Sequence, residues 1–82
     1  MAERTVKIAS SSGLHARPAA IISEAAAELG PEVTINGVDA SSALLIMTLG
    51  AGNGDTVEVA GDDQAAVDTI AALVEKDLDA TD

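Results

Sequence analysis

The sequence has no cysteine and no aromatic residue. Without cysteine the chain has neither disulfides nor thiolate metal sites, and its core has to be built from Ile, Leu and Val together with Ala and Met47. The longest strongly apolar run, residues 43–47, is far shorter than the roughly 20 residues of a membrane span. The beginning of the chain also lacks the apolar core and cleavage site of a secretory signal. We therefore expect a soluble, cytoplasmic protein without direct membrane insertion.

Basic residues are also scarce, because four Lys and Arg stand against fourteen Asp and Glu, for a formal net charge of −10. Since the basic residues are scattered along the chain, we expect no binding to nucleic acid, which would repel so acidic a surface. Two interpretations of the acidity stay open. It provides solubility in a crowded cytoplasm, or it steers the chain toward basic patches on partner proteins.

Short elements of alternating type fill the 82 residues, a length that fits a single domain over 1–82 with no room for a deep substrate cavity. Hydrophobic spacing, caps and turn residues predict the boundaries. The predicted elements are a strand over 5–9, a helix over 16–29, a hairpin of 32–35 and 38–40 around Asn36-Gly37, a short helix over 42–49, a strand over 56–60, and a helix that is capped by Asp62 or Asp63 and carries the apolar stripe Val67, Ile70, Val74 and Leu78. This order predicts an α+β fold, in which a four-stranded antiparallel sheet has its helices on one face and water on the other.

The single histidine, His15, stands where the first predicted helix begins. If His15 is the N-cap, the N–H groups of Ala16 and Arg17 have no helical partner and carry partial positive charge, so they can bind the oxygens of an anion on the ring. Pro18 suits a first turn, where its missing N–H costs nothing. Arg17 adds a charged, bidentate donor. This arrangement indicates a histidine that accepts a phosphoryl group without a metal or cofactor.

A histidine at a helix start is, however, more often a weak cap or a surface residue, and Arg17 alone would be a solvated charge. The presence of Gly13, Arg17 and Pro18 around His15 favours the phosphoryl interpretation, as does the absence of any other histidine or cysteine. The residues alone leave both interpretations open. A hydrolase with His15 as its base has little support, because no motif places a Ser, Cys or carboxylate partner beside it.

Two segments carry a family resemblance. Residues 13–19, GLHARPA, resemble the active-site signature of the HPr family, the histidine-containing phosphocarriers of the bacterial phosphoenolpyruvate-dependent sugar phosphotransferase system. Residues 41–50, SSALLIMTLG, are similar to the second signature of that family, which is centred on a regulatory serine at the start of a short helix. The resemblance covers essentially the whole chain and implies an open-faced β-sandwich with strand order 1-4-2-3, two long helices and one short helix.

The resemblance also implies roles for individual residues. His15 would accept the phosphoryl group on Nδ1 from enzyme I and donate it to sugar-specific enzyme IIA proteins, so that the chain is a monomeric carrier rather than an autonomous enzyme. Arg17 would stabilise the phosphoryl group, and the amides of Ala16 and Arg17 would hold its oxygens. A further set, named here the docking patch, would meet the partners: Ala20, Ala43, Leu44, Met47 and Thr48.

Ser42 would be a regulatory phosphorylation site by the same resemblance. Two departures from the family pattern bear on this role, because Leu45 replaces a common Gly or Lys and Ser41 stands where a basic residue is common. A simple N-cap is the alternative for Ser42. For the chain as a whole, the alternatives are a carrier in a regulatory relay and an unphosphorylated interaction module that binds through residues 43–47.

Overall fold

The computed structural model describes residues 2–11 and 13–76. Ser12 and the predicted stripe residue Leu78 therefore lie outside the described residues. Within the described ranges the elements are β1 (Ala2–Lys7), α1 (Ala16–Leu29), β2 (Val33–Ile35), β3 (Val38–Asp39), α2 (Ala43–Thr48), β4 (Thr56–Gly61) and α3 (Gln64–Val74). Their types and order are those predicted from the sequence.

The strands form one antiparallel sheet in the order β1-β4-β2-β3. Strand β4 is central, because it pairs with β1 from Ala2↔Gly61 to Lys7↔Thr56 and with β2 on its other side. The strand order 1-4-2-3 implied by the family resemblance is confirmed.

The sheet buries one face. Along β4, Val57 and Val59 are buried whereas Thr56 and Glu58 are exposed, the alternation expected of an antiparallel sheet with one wet face. Helix α3 packs on β1, β2 and β4, while α1 packs against α3 and α2. The fold is thus an open-faced α+β sandwich, and its largest fully buried side chains include Ile8, Ile22, Ile35, Ile46 and Ile70.

The hairpin between β2 and β3 follows its turn residues. Asn36 and Gly37 have φ angles of 50° and 86°, as a two-residue type I′ turn requires. Asn36 also joins the turn to β4, because its side-chain oxygen accepts a hydrogen bond from the Glu58 N–H at 2.8 Å and its own N–H donates to the Glu58 carbonyl at 2.8 Å. The predicted tight hairpin is confirmed.

Strand β1 differs from the prediction, since it begins at Ala2 and ends at Lys7 rather than spanning 5–9. The first residues of β1 have no strand-like pattern, and they join the sheet through backbone pairing with β4. The Ile8 N–H donates instead to the Asp55 carbonyl at 2.9 Å, outside the ladder. Pairing with a segment some fifty residues away set these ends, and local sequence does not encode it.

Two caps settle the helix starts that the sequence left open. Asp63, and not Asp62, caps α3, because its Oδ1 accepts a hydrogen bond from the Ala66 N–H at 2.9 Å. Ser42 caps α2 through its hydroxyl, which accepts from the Leu45 N–H at 3.3 Å. Both side chains satisfy N–H groups that a helix start leaves without partners.

Candidate functional site

His15 is the N-cap of α1. Its backbone is extended, with φ −105° and ψ −162°, and its carbonyl accepts the first helical hydrogen bond from the Ala19 N–H at 2.8 Å. The side chain is exposed and makes no capping hydrogen bond. The imidazole therefore stands in solvent at the helix start, free to meet a partner molecule.

The first turn of α1 offers two backbone donors beside this ring. The N–H groups of Ala16 and Arg17 have no acceptor among residues 2–11 and 13–76, as expected for the first N–H groups of a helix. Pro18 follows them and is buried, and because it has no N–H it leaves no third donor unsatisfied. Both donors lie at the positive end of the helix dipole, so this turn can hold anionic oxygens.

Arg17 is exposed, and no carboxylate in the described part of the chain lies within ion-pair distance of its guanidinium. Arg4 provides the contrast, because its guanidinium lies 3.8 Å from the Asp68 carboxylate and 3.4 Å from that of Glu75. The charge of Arg17 is therefore available to an anion bound at the start of α1.

The loop that leads into α1 is held by close packing at Gly13. Gly13 has a φ of +75°, and a Cβ atom added there would lie 2.5 Å from the Ala51 carbonyl oxygen and 2.6 Å from the Gly52 Cα, which only glycine avoids. The next residue, Leu14, is buried and donates its N–H to the same Ala51 carbonyl at 3.0 Å. The segment that precedes His15 is thus fixed against residues 51 and 52.

Sequence reasoning missed the part that this second segment plays. No predicted element covers residues 51–54, whereas in the structure they form a hydrogen-bonded turn packed on the His15 loop. The only local signal was the occurrence of glycine at positions 13 and 52, which permits two backbones to approach closely.

Helix α2 exposes one side and buries another. Ile46 is fully buried, whereas Leu44 is 69% exposed, as helical geometry requires, because a turn of about 100° per residue places the two on opposite sides. Ala43 and Met47 are half-buried and pack against the core, and Thr48 is exposed. Of the side chains of this helix, Ile46 thus belongs to the core, and Ala43 and Met47 belong to it in part.

The docking patch extends over two neighbouring helices, since Ala20 is a half-buried residue of α1, and α1 packs against α2. Leu45 was not among the predicted docking residues, but it is 41% exposed. Its one sequence signal was its place next to Leu44 in the same apolar segment. Every side chain of the patch is uncharged, so the patch offers contact to an apolar surface.

The segment before α2 is organised by Asp39. The Asp39 Oδ1 accepts hydrogen bonds from the Ser41 hydroxyl at 2.7 Å and the Ser41 N–H at 2.9 Å. These two hydrogen bonds, of which that from the hydroxyl has the larger effect, hold the pKa of Asp39 below its ordinary value. Since the Asp39 carbonyl also accepts from the Ser42 N–H at 3.1 Å, this turn orients Ser42 as the cap of α2.

An acidic cleft lies beyond the other end of α1. Its lining residues are Pro31, Glu32, Thr34, Ala60, Gly61, Asp62 and Asp63. Three carboxylates make it unfavourable for a phosphoryl group, and it contains none of the predicted site residues. Within residues 2–11 and 13–76, no group of three His, Cys, Asp or Glu side chains is placed to hold a metal ion. No helix in these ranges is long and apolar enough to cross a membrane.

Comparisons with a family model and with known proteins point to the same family. The family model described as "PTS HPr component phosphorylation site" matches residues 2–76. The chain is 40% identical to the phosphocarrier protein HPr of Streptomyces coelicolor, over 96% of this chain and 94% of that protein. It is 38% identical to the phosphocarrier protein NPr of Shewanella violacea, over 94% of this chain and 92% of that protein.

Solved structures agree with these relatives. HPr-C-His from Thermoanaerobacter tengcongensis superposes with a TM-score of 0.82 at 30% identity, over 92% of each chain. The phosphocarrier protein HPr from Bacillus anthracis superposes with a TM-score of 0.75 at 31% identity, over 89% of this chain and 95% of that one. Sequence motifs, fold and relatives therefore converge, and the chain belongs to the HPr family of phosphocarriers of the phosphotransferase system.

Proposed function

We propose that His15 accepts a phosphoryl group from enzyme I on Nδ1 and passes it to a sugar-specific enzyme IIA during sugar uptake. The observation that carries the proposal is the exposed imidazole of His15 beside the Ala16 and Arg17 N–H groups, which have no acceptor in the described part of the chain. The chain is a carrier in this scheme, because each round of acceptance and donation returns it to its starting state.

Acceptance is a substitution at phosphorus. The Nδ1 lone pair forms the new N–P bond while the bond from phosphorus to the donor group breaks, and the donor keeps that electron pair. Nδ1 is one bond closer to the backbone than Nε2, so a phosphoryl group there is the nearer to the Ala16 and Arg17 N–H groups. The guanidinium of Arg17 adds a bidentate donor for the remaining oxygens.

Magnitudes support a carrier that also releases its cargo. A helix terminus contributes about 0.3 to 2 kcal/mol to a bound anion, and a hydrogen bond to a charged group contributes about 1.5 to 3 kcal/mol. At tenfold per 1.4 kcal/mol, one contribution of each kind shifts the transfer equilibrium by roughly 20- to 4000-fold. The site thus holds the phosphoryl group without trapping it.

The docking patch supplies the contact to the partners. Leu44, the one leucine of the patch, is 69% exposed, more than any other large hydrophobic side chain in the described part of the chain. Apolar side chains left in solvent on one helix face are typical of a surface that meets other proteins. Because the patch itself carries no charge, its partners need a complementary apolar surface, and Arg17 is the charged group beside it in this scheme.

Incubation with enzyme I and phosphoenolpyruvate, followed by intact mass spectrometry, tests the proposal. We expect one phosphoryl group per chain, stable in alkali and labile in acid, and none on the His15→Ala variant. Phosphate on any other residue would refute the assignment of His15.

The acceptor decides the physiological role. Transfer from the phosphorylated chain to a sugar-specific enzyme IIA supports sugar uptake, whereas transfer only to an enzyme IIA of a regulatory relay would replace that part of the proposal. A chain that binds a regulator normally as His15→Ala and loses binding as Leu44→Glu would instead be an interaction module.

A further inference from the structure

We infer that Asn53 is a positioning residue, which holds the loop before His15 in the geometry that phosphoryl transfer needs. The inference rests on the proposed function of His15. Asn53 lies in the turn between α2 and β4, nearly forty positions along the chain from His15, and its side chain reaches across to the loop between β1 and α1.

The contact is a two-pronged hydrogen bond. The Asn53 Nδ2 donates to the Ala9 carbonyl at 3.1 Å and to the Ser10 carbonyl at 3.2 Å. Both partners are carbonyl oxygens, which only accept, so the side-chain amide has to present its amino group, with its two donors, to the loop. No aspartate or hydroxyl-bearing side chain of similar size offers two such donors.

The turn that presents Asn53 is itself fixed to the same loop. The Gly54 N–H donates to the Ile8 carbonyl at 2.9 Å, and the Ile8 N–H donates to the Asp55 carbonyl at 2.9 Å. The Asp55 carboxylate accepts the Gly52 N–H at 2.8 Å, which closes the turn. Asn53 therefore projects from a backbone whose position relative to β1 is already set.

The far end of the loop is held by the same turn region, since the Leu14 N–H donates to the Ala51 carbonyl at 3.0 Å. The end of α3 holds the loop from another side, because the Ala9 N–H donates to the Val74 carbonyl at 3.2 Å and the Ser10 hydroxyl to the Lys76 carbonyl at 3.3 Å. Asn53 is thus a side chain that joins the turn to Ala9 and Ser10, in the first half of the loop.

The role of Asn53 differs from that of a core residue. Asn53 is exposed, so water can replace its two hydrogen bonds at modest cost when the side chain is removed. The loop then keeps its bonds to α3 and to Ala51 but samples more positions around Ala9 and Ser10, and the His15 ring moves with it. Transfer between two aligned groups depends steeply on such small displacements, so the rate suffers more than the fold.

Asn53→Leu is the test variant, because leucine has a similar size and no hydrogen-bonding groups. The position tolerates a side chain without strain, since Asn36 is the only non-glycine residue with positive φ in the described ranges. Asn36→Ala is the matched control. It removes the side-chain hydrogen bond of another exposed asparagine, which accepts from the Glu58 N–H of β4. It strains the turn as well, so the fold should be destabilised at least as much.

Rapid-quench phosphorylation by enzyme I, measured over a range of enzyme I concentrations with phosphoenolpyruvate in excess, gives the maximal rate and the half-saturating concentration separately. For Asn53→Leu we expect the maximal rate to fall by roughly 3- to 10-fold, with the half-saturating concentration unchanged because the docking patch is intact. The His15 imidazole proton resonances should also shift in Asn53→Leu and stay in place in Asn36→Ala.

Equal maximal rates for wild type and Asn53→Leu would overturn this inference and leave the proposed function standing. An equal loss of maximal rate in Asn53→Leu and Asn36→Ala would also overturn it, because the effect would then be one of stability. A rise in half-saturating concentration without a change of maximal rate would also overturn it, because that result makes Asn53 a docking residue. Wild type that takes up no phosphoryl group on His15 would remove the proposed function, and this inference with it.

Discussion

His15 owes its exposure to its neighbours on both sides. Leu14 is buried and fixes the loop, while Pro18 and Ala19 are buried and fix the first turn of α1. Between these anchors His15, Ala16 and Arg17 are all exposed. Three consecutive exposed residues between buried ones leave the proposed anion site open to a partner, on a backbone that is anchored on both sides.

Arg17 should act through its planar fork as well as through its charge. Arg17→Lys keeps the charge but offers a compact ammonium, so we expect phosphoryl transfer onto or off His15 to slow by roughly 10-fold, at tenfold per 1.36 kcal/mol. Arg17→Ala should slow it further. Rapid-quench rates for the three proteins, with circular dichroism as the control for folding, measure the effect. Rates that agree within a factor of about two would leave the backbone amides as the sole phosphoryl ligands.

Gly13 and Gly50 form a matched pair for the packing of the His15 loop. Both have positive φ, of +75° and +65°, but a Cβ at Gly13 would collide with residues 51 and 52, whereas one at Gly50 meets nothing within 4 Å. Gly50→Ala should lower the free energy of unfolding by about 1 to 2 kcal/mol. Gly13→Ala adds an overpacking cost of about 1 to 3 kcal/mol. Urea unfolding compares them, and equal losses would contradict the close approach at Gly13.

The short helix α2 illustrates how periodicity divides an apolar segment. Its sequence contains no stripe of polar residues that would mark the side facing solvent. The single buried position, Ile46, defines that side, because a helix has about 3.6 residues per turn. Leu44 then lies opposite the core, with Leu45 to one side. The helix can thus be anchored and still expose two leucines.

Leu44→Glu should weaken binding to enzyme I by about 10-fold or more, because a charge would replace an exposed apolar contact in the docking patch. The control is Leu29→Glu. Leu29 is also a partly exposed leucine, at 38%, but it ends α1 at the opposite end from His15. Titration calorimetry gives both dissociation constants, and circular dichroism checks both folds. Equal weakening by the two substitutions would show that general acidity, and not the patch, controls binding.

Elements with local signals could be predicted from the sequence. Helix α1 ends at Leu29 as expected, because Gly30 adopts a φ of 92° and Pro31 follows it. The turn at Asn36-Gly37 is equally local, since the dipeptide itself prefers positive φ. The candidate site was recognised for the same reason, as the residues that form it are consecutive in the chain.

Features that depend on distant pairing could not be predicted. The first half of β1 is held in the sheet by β4, and Ala2 and Glu3 show no preference of their own. The bonds from Asn53 to the β1–α1 loop span more than forty residues, so no spacing rule reveals them. Choosing Asp63 over Asp62 as the cap of α3 likewise required the geometry of the preceding strand.

None of the residues proposed to bind the phosphoryl group or the partners is acidic. Of the residues proposed to bind the phosphoryl group or the partners, Arg17 is the charged one, while carboxylates line the cleft beyond the other end of α1. A phosphoryl group on His15 would therefore meet positive dipole ends and a guanidinium first, although the chain has a formal net charge of −10. The overall repulsion is a long-range effect that salt screens within roughly 10 Å.

Phosphorus-to-nitrogen coupling in the NMR spectrum of the enzyme I-phosphorylated, 15N-labelled chain shows whether the phosphoryl group is on His15. It identifies both the residue and the ring atom that carry the phosphoryl group. We expect a single coupled nitrogen, Nδ1 of His15, because that atom places the phosphoryl oxygens nearest to the Ala16 and Arg17 N–H groups. Coupling to Nε2 of His15, or a phosphoryl group on any other residue, would contradict it.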